Sequence, residues 1–198
     1  MNTLKMRSIL PLFALTCMTS VAMAQQDDSK NIITVSGEMS NEEMVAWKKT
    51  LPTDGWILVR FNKEHADHLL NLSHKDYMMH LWLNCEGKGA PGFLVEYSDN
   101  YRDGDFGGID FVGSRNDDGR ILQFLLDGKD YGNPFEKGNK QPLPEFSAAL
   151  KKASKLTLSV YDMEMNPETG KDEKKLNRSI DFKLAHSALL DRPVTCGL

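Results

Sequence analysis

Four of the five histidines lie between positions 65 and 80: His65, His68, His74 and His80. On a helix over 62–72, which the local pattern does not mark clearly, His65 and His68 would share a face. Two or three imidazoles so placed can hold zinc or copper. No Asp, Glu or Cys completes a recognised ligand spacing around them, so the same residues read as a solvated loop, and no metal is assigned. A second cluster, Asp99, Asp103, Asp105 and Asp110, falls in a glycine-rich stretch. Loop carboxylates bind calcium, but the Asp-x-Asp-x-Asp-Gly order with its closing glutamate is missing. Turn chemistry accounts for the Asp-Gly pairs. For nucleophilic catalysis the chain has no Gly-x-Ser-x-Gly, no Ser-x-x-Lys and no Cys–His pairing with a free thiol. A triad assembles in space rather than along the chain, so the sequence names none. The reading is of a protein without catalysis and without a cofactor.

The cysteines are read together with the first residues. Lys5 and Arg7 precede the short apolar run from Ile9 to Met18, and Ala22-Met23-Ala24 follows. That is the pattern of a secretory signal peptide over 1–24. The apolar run is about half the roughly 20 residues a spanning helix needs, which argues against an uncleaved anchor. Ala14-Leu15-Thr16 before Cys17 does not make a lipobox, which argues against a lipoprotein. A compact signal with an Ala-x-Ala site points to the periplasm of a Gram-negative bacterium, with secretion beyond the outer membrane as the alternative. Cleavage after Ala24 leaves 174 of the 198 residues and takes the formal charge from −4 to −6, because Lys5 and Arg7 depart. An acidic surface argues against nucleic acid and anionic membranes as partners. No later segment is long and apolar enough to insert in a bilayer. Cys17 leaves with the signal, so Cys85 and Cys196 remain. In an oxidising compartment such a pair forms a disulfide. It would close a loop of about 110 residues, on the order of 4–5 kcal/mol in the chain-entropy picture.

The elements that must position these residues are mostly strands. Residues 25–31 are polar and read as a flexible N-terminus, and 32–198 as one β-rich domain. Ile32–Val35 is a first strand. Ser40 and Glu43 make a capping box for a helix near 41–50. Trp56–Phe61, with Ile57, Val59 and Phe61 on one face, and Tyr77–Cys85, with Met79, Leu81, Leu83 and Cys85 on one face, follow by the period of two. Trp82 and His80 fall on the face opposite Leu81 and Leu83, a binding surface if that face is open and half-covered in a two-layer fold. Phe93, Val95 and Tyr97 mark another strand. Phe106–Val112 and Arg120–Leu126 read as a hairpin joined by 113–119. Asp127-Gly128 turns the chain into Lys129–Tyr131. A loop over 133–144 leads to a helix over 143–153 with Phe146, Ala149 and Leu150 as its apolar stripe. Leu156, Leu158 and Val160 alternate with polar residues, as do Ile180, Phe182 and Leu184 in the mating strand. Pro193 stops a short helical turn over His186–Leu190. The sum is mainly β: an antiparallel sandwich or barrel-like domain with two or three short peripheral helices.

The C-terminal half carries a resemblance. It runs Phe124-Leu125-Leu126-Asp127-Gly128, a helix ending Phe146-Ser147-Ala148-Ala149-Leu150-Lys151-Lys152-Ala153, the strands Lys155–Val160 and Ile180–Leu184, a short helix, and Cys196. That order is similar to small periplasmic sandwich proteins of the type VI secretion-associated TagO and invasion-associated locus B families. Trp56 followed by Cys85 is also similar. The resemblance implies a non-enzymatic envelope protein that works by binding. The partner is expected to be a secretion or assembly component; the acidic charge and the disulfide suit the alternative, a basic toxin or cell-wall hydrolase that it neutralises. The expected contact surface is the segment from Tyr97 to Arg120, since binding residues concentrate in loops on a rigid scaffold. Asp99, Asp103 and Asp105 would face a basic partner, with Tyr101 and Phe106 as anchors.

Overall fold

The computed structural model describes residues 28–98, 112–114, 120–136 and 143–196. Two sheets are stacked on one apolar core. The first has six strands: β1 (Ile32–Val35), β2 (Trp56–Phe61), β3 (Ala66–Asn71), β4 (Tyr77–Trp82), β6 (Gly92–Tyr97) and β7 (Val112–Gly113), in that spatial order. The second has four, ordered β11 (Asp172–Lys183), β10 (Lys155–Met165), β8 (Ile121–Leu126) and β9 (Lys129–Asp130). A separate pair joins β5 (Cys85–Glu86) to β12 (Val194–Thr195). The class is the expected one, mainly β and sandwich-like; the sheets do not close into a barrel. Two pairings, β1 with β2 and β12 with β5, are parallel rather than antiparallel.

Period-two patterning sorts the side chains. Trp56 and Leu58 on β2, Leu69 on β3, Met79 and Leu81 on β4 and Phe93 and Val95 on β6 face the second sheet. They meet Phe124, Leu126, Leu156, Leu158, Val160, Ile180 and Phe182 in a continuous buried cluster. The helix α2 (Leu143–Leu150) adds Leu150 and Phe146, and the Phe146 ring packs edge-on against Phe124. On the outer face of the first sheet, Ile57, Val59, Leu70 and Met78 form a second buried cluster with Val35, Leu51 and Leu72. Its cover includes Trp47 of α1 (Asn41–Lys48). Ser40 and Glu43 cap α1 reciprocally: Ser40 N–H donates to Glu43 Oε2 at 2.8 Å and Glu43 N–H to Ser40 Oγ at 3.3 Å. These bonds satisfy two of the orphan donors at the helix start.

Three expectations change. β3 stands where the sequence reads as a helix or a solvated loop, so His68 is on a strand. The strand expected to reach Cys85 ends at Trp82, and Cys85 begins β5 instead. Arg120–Leu126 does not form a hairpin with the preceding strand. β7 sets Val112 opposite Val95 in the first sheet, while β8 pairs with β10, Phe124 opposite Leu158. The chain changes layers between them. Local turn residues permit either connection; the apolar partners across the core decide it.

Candidate functional site

Asp99, Tyr101, Asp103, Asp105 and Phe106, with Asp110, lie outside the described residues. The two ends of that segment are described, and both abut one feature. Tyr97 stacks on Tyr77 with ring centroids 5.0 Å apart, and the Tyr77 hydroxyl accepts from Arg178 Nη1 at 3.1 Å. Arg120 Nε lies 3.9 Å from Asp162 Oδ1. Arg178 and Asp162 both belong to the β10–β11 hairpin.

That hairpin outruns its sheet. β8 pairs with β10 only over Leu156–Tyr161, so beyond Tyr161 the strands β10 and β11 continue as a two-stranded ribbon. Between Val160 and Tyr161 the register slips: Val160 faces Arg178, and Tyr161 faces Leu176, leaving Asn177 as the extra residue of a bulge. The slip moves Leu176 to the face opposite Ile180 and Phe182. Tyr161 therefore has Ile121 on one side and Leu176 on the other, and Met163 and Met165 follow on the same face. Relative exposures are 37% for Ile121, 46% for Met163, 69% for Met165 and 53% for Leu176. Among the described residues these are all the large hydrophobics left exposed, and they share one face: Met163, Met165 and Leu176 on the hairpin, and Ile121 at the adjoining end of β8. Lys174 places its ammonium 3.6 Å from the centroid of the Tyr161 ring. The ribbon's other face is polar and internally paired. Asn177 Nδ2 donates to Asp162 at 2.5 Å, Lys175 Nζ to Glu164 at 2.8 Å, and Asn166 Nδ2 to Glu173 at 2.7 Å.

The histidines are dispersed by the fold. His65 sits in a turn with φ 49°. The Nδ1 of His74 accepts from the backbone N–H groups of Asp76 at 3.1 Å and Tyr77 at 3.2 Å, which shapes the turn into β4. His68 and His80 meet on the outer face of the first sheet, ring centroids 6.4 Å apart. His80 Nε2 is 3.2 Å from Glu96 Oε1, and its ring stacks on Trp82. Burial would raise the Glu96 carboxyl, but the His80 hydrogen bond, the His80 charge and nearby Lys48 outweigh it and hold it below its usual range. The face that would have made Trp82 and His80 an open surface is covered: Trp82 is buried and the His80 side chain 15% exposed. Among the described residues no group of three His, Cys, Asp or Glu side chains is placed to hold a metal ion. The fifth histidine, His186, is buried with φ 61° and lies 3.0 Å from Asp54 Oδ2. That hydrogen bond first of all holds the Asp54 carboxyl below its usual range.

Cys85 and Cys196 are bonded across 111 positions, joining β5 to the residue after β12. The bond reinforces the two-residue parallel pairing of β12 with β5. Thr195 Oγ1 also accepts from Asp67 N–H at 3.1 Å.

Sequence reading missed the ribbon. Its signal is a change of parity: apolar residues stand at 156, 158 and 160, then at 161, 163 and 165. The second set marks the outward face. Leu176 could not be read this way, because it has the parity of Ile180 and only the bulge turns it outward.

No protein-family model matches the chain, and neither a curated protein nor a solved structure is significantly similar to it.

Proposed function

We propose that the chain is a non-enzymatic, periplasmic protein-binding module whose contact surface is the outer face of the β10–β11 ribbon, together with the sequence segment from Tyr97 to Arg120. The observation that carries this reading is the gathering of Ile121, Met163, Met165 and Leu176 on one exposed face. Contiguous exposed apolar patches mark interaction sites, and Tyr161 under Lys174 adds an aromatic of the kind that anchors interfaces. The signal pattern, the Cys85–Cys196 bond and the resemblance of the element order to secretion-associated envelope sandwiches support a role as an accessory of a secretion or assembly machine. The formal charge of −6 after cleavage favours a second role, inhibition of a basic toxin or cell-wall hydrolase, since charge complementarity speeds capture.

The test is co-purification from periplasmic extract, followed by titration of the partner so identified. Met165→Asp with Leu176→Asp should weaken that partner at least about tenfold, the equivalent of one well-buried anchor, with the melting temperature unchanged. Tyr101→Ala and Phe106→Ala should weaken it too. Undiminished affinity in the ribbon variant would place the interface elsewhere. A hydrolytic activity abolished by one Ser, His or Asp substitution would overturn the binding role.

A further inference from the structure

α1 lies over a face that is not wholly apolar. Trp47 packs edge-on to Phe61 at 6.4 Å, Phe61 to His68 at 5.4 Å, and His68 to His80 at 6.4 Å. These rings form one row from the helix across β2, β3 and β4. Lys48, at the end of α1, is half-buried and acts on Glu96 of β6, the same carboxylate that His80 bonds. His80 Nδ1 is buried with no hydrogen-bond partner among the described residues. Burial of this face disfavours a charged His68, and a proton taken up there sets a positive charge beside His80. The remaining carboxylates near His68 are Glu64, in the turn before β3, and Asp67, which is committed to Arg60 at 3.1 Å on the opposite side of the strands.

We propose that α1 is an acid-released cover: in mildly acid solution, protonation of His68 beside His80 lifts α1 from the first sheet while the two-sheet core stays folded. The helix is suited to this. It has eight residues, a length that is marginal without tertiary packing, and it holds the face chiefly through Trp47. Its departure takes Trp47 off the cluster of Ile57, Val59, Leu70 and Met78, thinning the cover of an apolar surface of the kind that captures other chains. The sign follows from linkage. Burial, then the charge of His80, hold the His68 imidazole below its ordinary range, against the pull of Glu64 and Asp67. The uncovered state therefore takes up a proton at a higher pH than the covered one, and docking weakens as pH falls below about 6.5.

Amide hydrogen exchange on the purified protein, expressed as protection factors, tests this between about pH 7.5 and pH 5, the range in which histidine titrates. Protection over Asn41–Lys48 should fall severalfold, in the direction linkage sets, while Leu156–Val160 stays protected. His68→Gln, or His68→Phe should the first fail to fold, should suppress most of that fall. Unchanged protection of α1, a simultaneous loss in both sheets, or a fall as large in the folded variant as in the natural chain would each overturn the proposal.

Discussion

Gly55 shows how much rests on one missing side chain. It bridges Ala185 in parallel fashion at the start of β2, and a Cβ there would meet the Ala185 backbone, its carbonyl carbon at 2.7 Å. That obstacle is backbone, with no flexible side chain to yield. Next to it, His186 adopts a left-handed conformation and reaches Asp54, so residues 54–55 and 185–186 lock the first sheet to the chain leaving β11. Gly55→Ala should cost about 1–3 kcal/mol, the range for forced overpacking, read as a shift in the urea midpoint at unchanged slope. A neutral result would mean that the two segments separate freely. Trp56 was legible as an apolar strand residue. The lock itself was not, because neither Gly55 nor His186 carries any local sign of a partner some 130 positions away.

At the scale of elements, α1 was readable down to its cap because a capping box is written within four consecutive residues, Ser40 to Glu43. Ser40→Ala removes the acceptor for Glu43 N–H and should destabilise the helix by about 1 kcal/mol, seen as faster exchange confined to its first turn. Global unfolding at the same midpoint shift would show that α1 is part of the main cooperative unit. The strands β2, β4, β6 and β8 were legible for the same reason: alternation is local. What alternation leaves open is which strand pairs with which. Val112 and Ile121 stand close in sequence yet join different sheets, and the turn residues between them are indifferent to that choice. Likewise the ribbon depends on a single unpaired residue, Asn177, whose type announces nothing.

For the whole molecule, acid should act in two stages. Below about pH 6.5 the depressed His68 costs stability, because the unfolded chain binds a proton that the fold refuses. Below about pH 4 a second loss sets in. Asp54, lowered by His186, Asp181, lowered by Thr157 and Lys155, and Glu43, lowered by Ser40, all give up stability that was complete above their unfolded values. Chemical melts at stepped pH should resolve both; a flat profile from pH 7 to about 5 would remove the histidine contribution. Replacing Cys85 or Cys196 by serine should cost about 2–5 kcal/mol, and the intact mass of exported protein should correspond to a chain starting at Gln25 with both thiols oxidised. The position of that bond has a temporal consequence. Chains are made from the N-terminus, so Cys85 waits, unpaired, through the delivery of the 111 positions that separate it from its mate. A chain cut short anywhere in that interval has no Cys196 to offer Cys85, so the bond can close only after β12 has been delivered, and it then holds β5 and β12 side by side.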